Sequence, residues 1–417
     1  MTPLEHILLT VRDASRSIAN LSDATIKSVL FDFADVFLVA EQEILTANRS
    51  DLAKMDFDNP LRPRLELTRE KIRAIAHDIR NVASLPSPLN IVLEKRTLES
   101  GIELSRVSVP LGVVGVIYEA RPNVTADIFS LCFKSGNACV LKGGSDAAES
   151  SRVIVDSIKK VLEQHSIDTN VIHLITGGRA EAQEMMNAVE YIDVIIPRGG
   201  RGLITYVRQN ARVPVIETGA GVVHTFLDES ADTQMTTTII HNAKVSRPSA
   251  CNALDTLIVH EKKLSELAEC LIPLARSEVE IFADEKSYAA MVGNYPPALL
   301  QRALPEHFGM EFLSLRMSIK TVANLDEAVE HISLYSSKHT EAILSADQNN
   351  TERFLSEVDA AVVFANTATV FTDGAQFSLG TEVGISTQKL HARGPMGLSA
   401  LTSYKWIGRG SGQIRIP

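Results

Sequence analysis

One cysteine, Cys251, stands where a thiol could act as a nucleophile. It follows the turn-like segment RPSA at 247–250 and precedes an apolar, strand-like run at 254–259. This pattern predicts a thiol at the mouth of a strand, facing a cleft, where neighbours that lower its pKa would let the thiolate attack an acyl carbon. Most free cysteines are small buried core residues, so the local pattern alone leaves that interpretation open as well.

Three units of strand, glycine turn and helix precede Cys251. Apolar strands are predicted at 138–141, 171–175 and 192–196, followed by the turns KGGS (142–145), TGG (176–178) and PRGG (197–200). This repetition is typical of a doubly wound parallel sheet. Backbone N–H groups at such turns approach phosphate oxygens, which predicts a nucleotide ligand. The chain has no GxGxxG segment, and the alternative is that the glycines serve only tight turns.

The rest of the chain provides supporting elements. Helical periodicity runs from about residue 3 to 79, and two strands are predicted between 98 and 122. Strand and helix patterns resume after Cys251 as far as about 364, which predicts a second α/β domain. The closing segment, 401–416, is strand-like with basic flanks, and such a terminal strand often pairs with another chain.

Composition restricts the function classes. The 417 residues, 45% hydrophobic and 22% charged, predict a soluble globular protein of two or three domains. A net charge of −10 argues against nucleic acid or an anionic membrane as the partner. The four cysteines have neither disulfide nor zinc spacing, so no metal is predicted. Without a secretory signal or a membrane span, we expect a cytoplasmic protein.

Several long segments, in order, resemble the gamma-glutamyl phosphate reductases (glutamate-5-semialdehyde dehydrogenases) of the aldehyde dehydrogenase superfamily. They are YEARPNVTADIFSLCFKSGNACVLKGG, PVIETGAG, RPSACNALDTLIVH and STQKLHARGPMGLSALTSYKWIGRGSGQIR. The resemblance covers nearly the whole chain and implies an aldehyde dehydrogenase-like α/β fold. It divides the chain into a Rossmann-type NADPH-binding domain (1–97 and 114–222), an α/β catalytic domain (223–375) and a β oligomerisation arm (98–113 and 376–417).

The resemblance also implies a reaction and its residues. The reaction is NADPH-dependent reduction of L-glutamyl 5-phosphate to glutamate 5-semialdehyde, in proline biosynthesis, through a thioacyl intermediate on Cys251. The Asn123 side-chain amide and the Cys251 backbone N–H would hold the oxyanion. Glu217, 34 positions before Cys251, matches the general base of hydrolytic relatives; here it either takes the thiol proton or orients the cofactor.

Cofactor and substrate residues follow from the same resemblance. Ser145 stands where NAD-preferring relatives have an acid, and together with Lys142 it favours the 2'-phosphate of NADP. Arg247 and Arg393 are candidates for the substrate's α-carboxylate or phosphate, with surface ion pairing as the alternative. The other positions matching cofactor-binding residues are Gly143, Gly177, Gly178, Arg198, Gly199, Gly200 and Glu311.

Near Cys251 the chain departs from the amino-acid sequence that is usual in the family. The departures, mostly from polar to apolar residues, are Val222, Val223, Val245, Ser246 and Val370. Two alternatives therefore remain: a hydrolytic NAD(P)-dependent semialdehyde dehydrogenase, and a non-catalytic protein that keeps the fold. The chain has no room for a fused amino-acid kinase, so a separate glutamate 5-kinase is the expected pathway partner, and the arm predicts a homo-oligomer, a dimer or higher.

Overall fold

The computed structural model describes residues 1–59 and 62–415, so the last two residues of the arm predicted at 376–417 lie outside the described residues. The chain forms two compact units, one of residues 1–218, 378–384 and 395–417, and one of residues 219–377 and 385–394. The helices are α1 (Pro3–Ile18), α2 (Asp23–Val39), α3 (Glu41–Leu52), α4 (Arg62–Leu65), α5 (Arg69–Ser84), α6 (Asn123–Lys134), α7 (Ala148–Gln164), α8 (Arg179–Asn187), α9 (Arg201–Asn210), α10 (Thr233–Val245), α11 (Leu264–Cys270), α12 (Ile272–Arg276), α13 (Glu285–Met291), α14 (Leu325–Tyr335) and α15 (Gln348–Glu357). The strands are β1 (Val92–Thr97), β2 (Glu103–Pro110), β3 (Val113–Tyr118), β4 (Ala138–Gly143), β5 (Ile172–Leu174), β6 (Val194–Arg198), β7 (His224–Leu227), β8 (Thr256–His260), β9 (Glu280–Ala283), β10 (Leu300–Arg302), β11 (Arg316–Val322), β12 (Thr340–Leu344), β13 (Val362–Ala365), β14 (Ile385–Ser386), β15 (Gly394–Pro395) and β16 (Thr402–Arg409).

The first unit is built on a parallel sheet of four strands in the order β5-β4-β3-β6. This is the order of a mononucleotide-binding half, in which the chain changes direction between β3 and β6 and leaves a crevice at their carboxyl ends. The residues of β3 are all buried, as expected for a parallel strand covered on both faces. The predicted repetition of strand, glycine turn and helix is thereby confirmed.

Helices from the N-terminal region enlarge this unit. The periodicity of α1 buries Leu8 and Val11, and the helix packs against β3 and β4. Farther from the sheet, α2 and α3 pack on α7, and α5 packs on α2 and α6. No helix in residues 1–59 or 62–415 is long and apolar enough to cross a membrane.

A separate antiparallel sheet has the order β1-β2-β16. The terminal strand β16 pairs with β2 of the same chain, from Thr402 opposite Pro110 to Arg409 opposite Glu103. The strand was predicted correctly, but one of its edges has a partner from its own chain. Its other edge has no partner strand within the described part of the chain. β1, from residues that the sequence assigned to the cofactor domain, completes the sheet.

The second unit contains a fully parallel sheet of seven strands in the order β10-β9-β11-β8-β7-β12-β13. Alternate residues of one strand belong to different hydrophobic cores: Leu257 and Val259 of β8 face one cluster, and Ile258 faces the other. Helices cover both faces, and the predicted second α/β domain is therefore present.

Candidate active site

The crevice of the first unit holds a cavity of about 600 Å³. It lies at the carboxyl ends of β3 and β4 and between α8 and α9, where a sheet of this order binds its ligand. Tyr206 and aliphatic side chains supply apolar walls that suit a planar base, and Glu119 and Arg179 add charge. The lining residues are Ile117, Glu119, Gly144, Arg179, Ala182, Met186, Gly202, Leu203, Tyr206 and Val207.

Carboxylates cover the glycine turns beside this cavity. The N–H of Gly178, at the start of α8, donates to Oε2 of Glu181 at 2.7 Å. Likewise the N–H of Gly200, at the start of α9, donates to Oε2 of Glu119 at 2.8 Å. The turns lie at this edge as predicted, but two of their donors are already bonded to acids that the sequence interpretation overlooked.

Lys142 is the penultimate residue of β4, at the same edge. Its Nζ donates to the carbonyl oxygen of Gly143 at 2.9 Å, and burial lowers its pKa while the nearby Glu181 opposes that shift. Ser145 is exposed at the next turn, and Arg179, also exposed, begins α8. The Gly143 to Ser145 turn therefore lacks a carboxylate, as the sequence indicated, but α8 brings one from Glu181.

Asn123 begins α6, immediately after β3 and its turn. Its Nδ2 donates to Oδ2 of Asp127 at 3.0 Å, one helical turn along. Desolvation raises the pKa of the Asp127 carboxyl to about 7, against the hydrogen bond from Asn123. The amide is thus held by a specific partner through one of its two N–H groups, which leaves the other available for a ligand.

Glu217 follows the segment 214–216, which lies beside β6. The N–H of Ile195 donates to the carbonyl oxygen of Pro214 at 2.8 Å, and the N–H of Ile216 donates back to that of Ile195 at 3.0 Å. Oε2 of Glu217 lies 3.6 Å from Nη1 of Arg208 on α9. Glu217 therefore belongs to the first unit and pairs there with an arginine.

In the second unit, Cys251 lies in the loop between α10 and β8. All four cysteines fall within the described residues, and Cys251 is partly exposed whereas the other three are buried. Two consecutive turns shape the loop: the N–H of Ala250 donates to the carbonyl oxygen of Arg247, and that of Ala253 donates to the carbonyl oxygen of Ala250. The side-chain amide of Asn252, the residue after Cys251, donates to the carbonyl oxygens of Val370 and Thr372. These two hydrogen bonds anchor the loop beside the thiol.

The segments before β7, β8 and β11 meet at the amino edge of this sheet. The N–H of Gly221, before β7, donates to Oε1 of Glu311, before β11, at 2.9 Å. The segments that precede these two strands are therefore neighbours. A Cβ added to Gly221 would lie 1.5 Å from the carbonyl oxygen of Cys251. Only glycine allows the backbone to approach the loop that carries Cys251 so closely.

The two candidate substrate arginines are both paired with acids. Nη1 of Arg247 lies 3.4 Å from Oδ2 of Asp373. Nη2 of Arg393 donates to Oδ1 of Asp359 at 2.8 Å. Lys338 and Lys389 reach the same carboxylate, so Arg393 first and then the lysines hold the pKa of Asp359 well below its usual range. The Asp359 cluster therefore has an excess of positive charge, whereas Arg247 is a largely exposed ion-pair residue.

The departures near Cys251 are mostly packing residues. Val222 and Val223 are buried, and Val245 and Val370 pack against the hydrophobic core that includes Leu257. Ser246 is exposed and bonds back to its own helix through the carbonyl oxygen of Asn242. Val222 and Val223 are thus accommodated in the interior of the second unit, and the partly buried Val245 and Val370 cover its core.

Comparison with known proteins agrees with this arrangement. The profile of the Aldehyde dehydrogenase family matches residues 13–285. A gamma-glutamyl phosphate reductase from Chlorobium limicola is 57% identical over 412 residues, covering 99% of both chains. The crystal structure of gamma-glutamyl phosphate reductase from Thermotoga maritima is 39% identical, covers 100% of both chains and has a TM-score of 0.94. The chain belongs to the gamma-glutamyl phosphate reductase branch of the aldehyde dehydrogenase family.

The fold of this aldehyde dehydrogenase family is shared more widely. An acetylating aldehyde dehydrogenase from Geobacillus thermoglucosidasius has a TM-score of 0.72 at 16% identity, covering 99% of this chain and 97% of its own. That likeness concerns the fold alone. The aldehyde dehydrogenase-like fold and the family resemblance that were predicted from the sequence are both confirmed.

Several residues of this reductase-family site escaped the sequence analysis. Glu119, Asp127, Arg179 and Glu181 all lie within a few residues of glycine turns or of Asn123. The only feature in the sequence that could have indicated them is their closeness to these segments. That feature is weak, because an acid or arginine on a loop or helix end is ordinarily a solvated surface residue. Only the folded arrangement brings Glu119, Arg179 and Glu181 to the glycine turns and the crevice, and Asp127 to Asn123.

The close approach at Gly221 gives a first prediction. Gly221→Ala should displace the backbone of Cys251 and change the surroundings of its thiol, which should slow alkylation by iodoacetamide by roughly 10-fold, because a free reagent reacts according to thiolate fraction and access. Alkylation is followed by mass spectrometry of the Cys251 peptide. Gly309→Ala is the matched control, because its added Cβ meets nothing closer than Tyr335 Cδ1 at 3.4 Å. Normal alkylation of folded Gly221→Ala would contradict the prediction.

A second prediction concerns Asp127. Its pKa is raised from 3.8 to about 7, so the folded state binds the proton more tightly and loses this stabilisation as pH rises from about 4 to 7. Asp127→Asn keeps the shape without the charge. At pH 8 its unfolding free energy should exceed that of the wild type by roughly 1–4 kcal/mol, at about 1.4 kcal/mol per pKa unit. Denaturant titrations at pH 4 and 8 test this, and an equal effect at both pH values would refute it.

Proposed function

We propose that this chain reduces L-glutamyl 5-phosphate to L-glutamate 5-semialdehyde, with NADPH as reductant and release of phosphate. The observation that carries the proposal is the match over 99% of both chains to a relative named gamma-glutamyl phosphate reductase. The geometry around Cys251 supports the proposal as well. Its side chain is partly exposed, and its loop is anchored by Asn252 and closely approached by Gly221.

The chemistry assigned to Cys251 has two stages. In the first, its thiolate attacks the acyl carbon of the acyl phosphate, the C–O bond to phosphate breaks, and a thioester remains on Cys251. In the second, hydride adds to the thioester carbon and the resulting hemithioacetal collapses, which returns the electron pair to sulfur and frees the aldehyde. When bound, the dinucleotide supplies that hydride.

Each stage passes through a tetrahedral oxyanion that needs donors. We assign them to the backbone N–H of Cys251 and to Nδ2 of Asn123, following the superfamily pattern. Because Asp127 accepts from the same nitrogen, the remaining N–H of the Asn123 amide has a defined direction. Loss of one such donor typically slows acyl transfer by about 100- to 1,000-fold.

The crevice of the first unit suits the adenosine end of a dinucleotide. Its apolar walls between α8 and α9 would take the base, and Lys142 and Arg179 would lie on the side of the 2'-phosphate. Ser145 adds no negative charge there. Glu181 opposes this preference because its carboxylate lies close enough to act on Lys142. NADPH is our choice because two cations outweigh one acid. Glu311 is assigned to the nicotinamide ribose.

The substrate's own anionic groups require cations in the second unit. We place the α-carboxylate or the phosphate at Arg393, because Lys338 and Lys389 leave an excess of positive charge around Asp359. Arg247 remains the weaker candidate, since it is 72% exposed and pairs only with Asp373. An exposed cation gains little from one ionic contact.

The hydrolytic alternative requires Glu217 to activate water. Glu217 lies in the first unit, with its Oε2 3.6 Å from Nη1 of Arg208 on α9. We therefore assign it to orientation of the cofactor side of the site and not to water activation. The apolar departures do not favour the non-catalytic alternative, because Val223 is buried and Val245 packs against the core.

The proposal extends to the cellular setting. We expect a cytoplasmic enzyme that receives its labile acyl phosphate from a separate glutamate 5-kinase. We also expect a homo-oligomer formed through the antiparallel sheet, where β16 has an edge without a partner strand in the described residues and where Tyr404 and Trp406 are exposed.

Phosphate dependence in the reverse direction tests the reaction. With glutamate 5-semialdehyde and NADP, the purified protein should form NADPH only when phosphate is added, because phosphate must cleave the thioester on Cys251. Cys251→Ala should lower this rate by at least about 1,000-fold while keeping the fold. Turnover without phosphate would instead identify a hydrolytic dehydrogenase, and full activity of Cys251→Ala would remove the nucleophile assignment.

The preference for NADPH over NADH is tested by two variants, one that removes a positive charge and one that removes a negative charge. Lys142→Met should lower kcat/KM for NADPH by roughly 10- to 100-fold more than for NADH. This ratio corresponds to the loss of one charge-assisted hydrogen bond, which contributes about 1.5–3 kcal/mol. Glu181→Gln, which can still accept from Gly178, should increase the preference for NADPH. Tighter binding of NADH than NADPH by the wild type, or a fall in NADPH preference in Glu181→Gln, would overturn the assignment.

A further inference from the structure

Two hydrogen bonds close the neck of the loop that carries Cys251. The N–H of Leu254 donates to the carbonyl oxygen of Ala243 at 3.0 Å, and Nζ of Lys244 donates to the carbonyl oxygen of Leu254 at 2.8 Å. Lys244 is completely buried, at 0% exposure. Its ammonium group therefore joins the last turn of α10 to the residue at which the loop ends.

A carboxylate balances this buried charge. Oδ1 of Asp255 lies 3.9 Å from Nζ of Lys244, and Asp255 is 2% exposed. Desolvation lowers the pKa of Lys244 and raises that of Asp255, whereas their mutual attraction acts in the opposite direction. Replacing such a buried pair by apolar residues is often neutral or stabilising. Stability alone therefore does not account for a lysine at this position.

The same carboxylate reaches the two segments that flank the nucleophile loop. Its Oδ1 accepts from the N–H of Phe312 at 3.0 Å, and its Oδ2 accepts from that of Val223 at 3.4 Å. Within two residues of these lie Glu311 and Gly221, which bond to each other, and Gly221 is the residue packed against the Cys251 carbonyl. One ion pair thus connects the neck of the loop to both neighbouring segments.

We propose that Lys244 is a positioning residue for the nucleophile: with Asp255 as its counter-charge, it closes the neck of the loop and so determines where the Cys251 thiol stands. Lys244 acts through the loop backbone. The inference rests on the proposed function only in taking Cys251 as the nucleophile.

The test replaces Lys244 in the full-length protein. Lys244→Met, which cannot donate to Leu254, should lower kcat by roughly 10- to 100-fold through misplacement of the thiol, with KM for the dinucleotide unchanged. It should also slow iodoacetamide alkylation of Cys251 by about 10-fold, because the thiolate fraction and the access to it change with the loop. Lys244→Arg, which retains a donor and a charge, should recover most of the alkylation rate. Wild-type alkylation of folded Lys244→Met would overturn the proposal.

A second buried lysine provides the matched control. Lys134, in the first unit, is also 0% exposed; its Nζ pairs with Asp23 at 2.6 Å and donates to the carbonyl oxygen of Ala83 at 3.2 Å. Lys134→Met should lower the Tm as Lys244→Met does but leave alkylation of Cys251 at the wild-type rate. Slow alkylation in both variants would mean that general destabilisation is responsible, and the proposal would fail.

The double variant Lys244→Met with Asp255→Asn separates positioning from stability. It removes both charges, so the Tm should return toward the wild type. The neck hydrogen bond is still missing, so alkylation should stay slow; recovery of both would overturn the proposal. The proposed function fails separately: turnover that survives Cys251→Ser would remove the nucleophile, whereas loss there combined with normal alkylation in Lys244→Met removes only the positioning role.

Discussion

A buried carboxylate, Asp255, holds together the amino edge of the second sheet. A parallel ladder aligns the strands themselves, but it does not determine the segments that precede them, which come from distant parts of the chain. Asp255 accepts from the segments before β7 and β11 and contacts Lys244 before β8. Hydrogen bonds to a charged group contribute about 1.5–3 kcal/mol each. Without Lys244 the same carboxylate would be an uncompensated buried charge, which is strongly destabilising.

This arrangement explains how apolar side chains can stand at positions near Cys251 where the sequence analysis expected polar ones. The groups that connect the edge are largely backbone N–H and carbonyl groups, of Gly221, Val223, Leu254 and Phe312. A side chain can change from polar to apolar at such a position without removing the connection, provided that it packs. The buried Val223 does so. The constraint is severe only where space is missing, as at Gly221.

The sequence was most informative where local pattern and structure coincide. The glycine turns, the parallel strands and the loop position of Cys251 follow from periodicity and turn chemistry, and they are present. Asn123 and Glu311 could be selected only through resemblance. Lys244 and Asp255 were missed although they lie within seven residues of Cys251, because a lysine or an aspartate is ordinarily exposed. Their burial depends on contacts with Phe312 and Val223, which no local pattern records.

In the first unit, backbone groups that could bind an anion are instead bonded to acidic side chains. Backbone N–H groups at the starts of α8 and α9 would attract phosphate, yet Glu181 and Glu119 already accept from them. We interpret these carboxylates as holding the turns in shape. A dinucleotide whose pyrophosphate used the same donors would have to displace them against charge repulsion. The favourable charge must then come from side chains, and Lys142, Arg179 and Arg198 are cations at this edge. Selectivity between dinucleotides thus depends on the balance of a few opposed charges at one turn, which explains why the absence of an acid at Ser145 is not sufficient to decide it.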